Sequence, residues 1–139
     1  MRAYFDHERL TVYKRATQFA TWSTRLLDEG TGSAGLRNQL ERASVSIALN
    51  IAEGNGKTMK RDRTRFLEIA RGSALECAAC LDLLVASASL DEGRAMEGKD
   101  ILREVVAMLT GLMGSIAKRA REDGEEYSLG QSEQEQEQG

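Results

Sequence analysis

Two segments of this chain carry polar and ionisable side chains where an amphipathic helix would bury apolar ones. Residues 42–56 read RASVSIALNIAEGNG and hold Arg42, Ser46, Asn50 and Glu53; residues 65–76 read RFLEIARGSALE and hold Arg71, Ser73 and Glu76. If both are helices paired antiparallel about a turn near Lys57, residues whose numbers sum to about 117 face each other. Arg42 then stands opposite Glu76, and Ser46 opposite Arg71. An Arg and a Glu so placed would form a partly buried ion pair, which costs desolvation and serves mainly to fix register. The set reads as a polar zipper that specifies one helix pairing, with a ligand or catalytic site as the alternative. Gly72 beside Ser73 reads as a close helix approach, and Gly54 as a C-cap.

A second constellation is cationic. Lys57, Lys60, Arg61, Arg63, Arg65 and Arg71 stand against only Asp62 and Glu68 between positions 57 and 71. Lys57, Lys60, Arg61, Arg63 and Arg65 are the candidate phosphate contacts to RNA or DNA, and an oligomer would repeat them around its axis. The run lacks interleaved exposed aromatics, and a solvated helix start accounts for the same charges.

The remaining reactive residues offer no catalytic constellation. Cys77 and Cys80 form a C-x-x-C on the apolar face of a helix with no strand before it, unlike a thioredoxin site, and read as core cysteines. His7 is the single histidine, too few for a zinc site or for a Ser-His-Asp or Cys-His arrangement within one chain. Neither a G-x-x-x-x-G-K-[ST] loop nor a G-x-G-x-x-G after a strand is present. The reading is of a non-enzymatic protein with no cofactor and no metal. If the first helix turns Tyr13 and Ala20 inward, Trp22 falls at an intersubunit contact.

The elements that must position these residues are helices. Proline is absent and aromatics are 5% of the 139 residues, so breakers are missing while helix formers are plentiful. Apolar residues recur at helical spacing over about 7–29, 34–53, 61–88 and 95–120. The GTGSAG stretch at 30–35, Gly54 and Gly56, and SLDEG at 89–93 separate them. Four such segments with short connections predict an all-α, antiparallel up-down-up-down four-helix bundle over residues 1–121. Helices with more than one apolar strip leave surface for a homo-oligomer to bury.

Charge is distributed unevenly. All 19 Lys and Arg lie at or before Arg121, while seven of the 22 acids lie at 122–139, which leaves the first 121 residues with 15 acids and about +4. The segment 122–139, EDGEEYSLGQSEQEQEQG, is acidic and Gln/Glu-rich, and composition predicts a disordered tail. A charged N-terminus and the lack of a long apolar run predict no membrane span and a cytoplasmic location.

With its LTVYKRATQFA segment at 10–20 added, the two polar motifs resemble the four-helix-bundle family encoded in intervening sequences of bacterial 23S ribosomal RNA genes. The resemblance covers roughly residues 10–90, and more loosely the fourth helix. It implies a homopentamer. It also implies kinship with the accessory variability determinant proteins of diversity-generating retroelements, which partner a reverse transcriptase and bind nucleic acid. The partners it points to are further copies of the chain, RNA or DNA, and a protein such as a polymerase. SLDEG stands where the family more often has a glycine-aromatic turn, and the acidic tail lies outside the match.

Overall fold

A computed structural model describes residues 2–124, and the acidic segment expected to be disordered falls almost wholly outside them. A 3-10 turn at Asp6–Arg9 precedes four helices: α1 Thr11–Asp28, α2 Ala34–Asn55, α3 Lys60–Ala86 and α4 Glu92–Glu122. No strand occurs among the described residues. No helix there is long and apolar enough to cross a membrane.

Local chemistry sets the boundaries. Ser33 caps α2, its hydroxyl accepting from the Leu36 N–H at 3.2 Å, and Asp91 caps α4 by accepting from the Arg94 N–H at 3.0 Å. The first helix begins later than expected, at Thr11, because the Glu8 carboxylate accepts from the N–H groups of Tyr4 and Phe5 and closes a separate turn. Those bonds hold its carboxyl below the usual range. The end of α3 reverses through Ala88, whose φ of 58° is left-handed. The Ala88 N–H donates to Val85 O at 3.0 Å and the Ser89 N–H to Leu84 O at 2.9 Å. This is the paired closure that usually employs glycine.

Packing follows from which strip each helix turns inward. Val12, Ala16, Phe19 and Leu26 of α1 are buried, while Tyr13 and Leu27 are only partly covered. In place of Tyr13 and Ala20, the helix therefore turns Val12, Ala16, Phe19 and Leu26 to the centre. They meet Leu40, Ile47 and Ile51 of α2, Cys77, Leu81 and Leu84 of α3, and Leu102, Val105, Leu109 and Met113 of α4. Full burial of each such side chain contributes about 1.5–3 kcal/mol.

Across the α1–α4 and α3–α4 seams, partner numbers fall on one helix as they climb on the other. Arg15 pairs with Glu104 at 2.5 Å, Trp22 lies on Gly98, and Arg94 pairs with Glu29 at 2.5 Å across α1 and α4. Lys99 pairs with Asp82 at 2.6 Å, and Arg71 donates to the Thr110 hydroxyl at 3.3 Å, across α3 and α4. The guanidinium partners hold Glu29 and Glu104 below the usual carboxylate range.

Two glycines depart from the roles expected of them. Gly54 lies within α2, where a Cβ would come within 2.9 Å of Phe66 Cβ and 3.3 Å of the Arg63 carbonyl, so it permits backbone approach to α3 rather than capping the helix. Gly72 is exposed with nothing within 4 Å, and no close approach occurs there.

Thermal or denaturant melts separate these roles. Gly72→Ala should stabilise the protein by about 0.5–1 kcal/mol through helix propensity alone. Gly54→Ala should destabilise it by about 1–3 kcal/mol through overpacking, and equal effects at both sites would contradict the assignment. Ala88→Gly should raise stability by about 1 kcal/mol by removing the left-handed penalty, as read from the denaturation midpoint at constant slope.

Candidate nucleic-acid interface

The cationic run begins where α2 turns into α3. Lys57 sits in the connection with its Nζ 5.1 Å from the centroid of the Phe66 ring, which anchors the side chain without neutralising it. Lys60 opens α3, and its Nζ bonds the Asp123 carboxylate at 2.7 Å. That ion pair ties the start of α3 to the end of α4. Arg61 and Arg65 are exposed, Arg63 is half-buried, and none of the three forms an ion pair among the described residues. Met59 precedes α3 without a side-chain cap, so the first-turn N–H groups add the positive end of the helix dipole to the cations.

The structure adds residues that the linear reading did not join to this run. Lys118, Arg119 and Arg121 occupy the last turns of α4. Arg119 and Arg63 line one narrow cleft together with Leu10, Gly54, Leu67 and Ile116. Five cations at 57–65 stand against Asp62, and three at 118–123 against Glu122 and Asp123, so these two segments together carry an excess of five positive charges. Two exposed aromatics also lie on the turn that docks here: Asn55 Nδ2 donates to the Asp6 carboxylate at 3.1 Å, and Tyr4 and Phe5 immediately precede Asp6, 84% and 67% exposed. A helix-end charge pattern in the sequence marked the α4 cations; only a bundle topology could bring them beside α3.

The polar zipper forms in part and in a different register. The hydroxyls of Ser46 and Ser73 lie 2.8 Å apart, and Asn50 Nδ2 donates to the Ser46 carbonyl at 2.8 Å and its hydroxyl at 2.9 Å. Ser46 thus meets Ser73 instead of Arg71, because the close approach at Gly54 sets the pairing two positions further along α3. Arg71 is turned to α4 and Thr110. Arg42 and Glu76 are both exposed and form no ion pair, so the expected partly buried pair is absent. Arg42, Glu53, Val45 and Leu49 instead line an open, shallow groove on the outer face of α2.

Trp22 packs across the α1–α4 seam. The rotation of α1 lays its indole on Gly98 of α4, where a Cβ would lie 2.5 Å from the ring, and beside Phe19 at a centroid distance of 5.7 Å. Half-buried, it has a partner within its own chain. Cys77 and Cys80 are buried, and burial pushes both thiols above their ordinary range, as core cysteines require. His7 lies between the rings of Phe5 and Tyr13, at 6.0 and 4.7 Å. No group of three or more His, Cys, Asp or Glu suited to a metal ion occurs among the described residues.

Comparison with solved structures supports the fold. A crystal structure of a protein of unknown function from the S23 ribosomal protein family, from Bacteroides thetaiotaomicron, superposes with a TM-score of 0.69 at 21% identity, covering 74% of this chain and 98% of that one. No curated protein matches the chain. The model of the 23S rRNA-intervening sequence protein family matches residues 8–111, which takes in α1, the Ser46–Ser73 seam, the cations at 57–65 and most of α4. The chain belongs to the 23S rRNA-intervening sequence protein family.

Proposed function

We propose that this protein is a non-enzymatic, homo-oligomeric, antiparallel up-down-up-down bundle that associates with single-stranded nucleic acid, RNA first, through the end of the bundle formed by α3's start and α4's finish. The observation that carries the reading is the convergence of Lys57, Lys60, Arg61, Arg63 and Arg65 with Lys118, Arg119 and Arg121, held together by the Lys60–Asp123 pair. Phosphates would meet the cations without base specificity, and the exposed rings of Tyr4 and Phe5 offer stacking surfaces at the same end. Val45, Leu49, Ile69, Leu75, Leu83 and Met96 are large apolar side chains left 45–59% exposed. They supply the surface that further copies would cover, five in all if the chain assembles as its family resemblance implies.

A protein scaffold is the second reading, one that would serve a polymerase or reverse transcriptase. It is favoured by the groove of about 460 Å³ between α3 and α4, walled by Leu75, Ala78, Met96, Leu102 and Val106. A nucleic-acid partner loses to it if association with protein survives nuclease treatment while no RNA is retained.

Titration with a single-stranded oligouridylate at several salt concentrations tests the first reading. Affinity should fall steeply with salt. Changing Arg61, Arg63 and Arg65 together to Glu should flatten the log–log slope by about 2 and leave the helical circular dichroism intact. Retention of RNA unchanged by the triple substitution refutes the site. Light scattering should return a mass several times that of one chain, and a monomer would remove the oligomer from the proposal.

A further inference from the structure

The acids beyond α4 begin where the cations lie. Asp123 already bonds Lys60 at 2.7 Å. Gly124 follows with a φ of 74°, its N–H donating to Arg121 O at 3.2 Å, so the backbone leaves α4 through a left-handed reversal instead of continuing along the helix axis. Residues 125–139 hold Glu125, Glu126, Glu133, Glu135 and Glu137 and no Lys or Arg. The thirteen steps from Gly124 to Glu137 reach at most ~45 Å, whereas Lys60 to Arg65 rises only ~8 Å along α3. Reach is therefore ample, and the five carboxylates are opposite in sign to the cationic segments at 57–65 and 118–121.

We propose that the acidic segment after Gly124 docks on the cationic end of its own bundle and competes there with nucleic acid. The ion pair between Lys60 and Asp123 fixes the point from which the segment departs, and Arg61, Arg63, Arg65 and Arg119 take its carboxylates. Tethering raises the local concentration of these weak acids to the millimolar range, so a contact of modest intrinsic affinity suffices to occupy the face. Docking itself needs no nucleic acid; the competition rests on the function proposed above.

The test uses the full-length chain and a variant with Glu125→Gln, Glu126→Gln, Glu133→Gln, Glu135→Gln and Glu137→Gln, which leaves every residue of the bundle in place. At low salt, the amide resonances of residues 57–65 should differ between the two chains and converge as salt is raised. The variant should bind a single-stranded oligouridylate about two- to tenfold tighter at low salt. Superimposable resonances at low salt overturn the docking. Differing resonances with unchanged oligouridylate affinity overturn the competition. Differing resonances with no oligouridylate bound by either chain establish the docking and defeat the nucleic-acid reading instead.

Discussion

The seam between α2 and α3 governs the rest of the molecule. At Gly54 the two backbones come so near that a methyl group would collide with Phe66 Cβ, and this fixes the depth and the register of the pairing. One seam away from the turn, the hydroxyls of Ser46 and Ser73 satisfy each other, with Asn50 holding Ser46 from its own helix. Burying such groups is tolerable only when they find partners, so a slip of one residue would strand them. The pairing is specified by contact at one point and by polar satisfaction at the other. From that pairing follows the direction in which α3 starts, and therefore where its cations stand.

The fourth helix completes the cationic end only because of how the core is filled. Leu102, Val105, Leu109 and Met113 lie on one strip and are buried, which brings α4's last turn down beside Lys60. Basic residues in that turn also suit the negative end of the helix dipole, so the sequence has a local reason to place Arg119 and Arg121 there. A charge arrangement that stabilises the helix thus also contributes to a surface potential, and neither role needs the other to explain it.

Much of this was legible in the sequence, for physical reasons that differ by element. The four helices could be read because their apolar periods are long and proline is missing, and Cys77 and Cys80 could be placed in the core from the same period. Rotation of α1 could not be read, because two adjacent strips, one of Tyr13 and Ala20 and one of Val12 and Phe19, satisfy the same period. Only competition for volume in the assembled core decides between them, and the seat of Trp22 on Gly98 follows from that choice. The roles of Gly54 and Gly72 could not be read, because whether a glycine admits a neighbouring backbone is decided only once that backbone is present. The Ser46–Ser73 contact was missed by two positions, a small error in register that moved Arg71 to a different helix.

The indole on Gly98 has an experimental consequence of its own. Trp22 is the one tryptophan in the chain, so native fluorescence comes mainly from the boundary of α1 with α4. A melt followed by that signal reports how the outer pair of helices parts. The α2–α3 hairpin, which orients the cations, is optically silent to it and has to be watched by backbone probes.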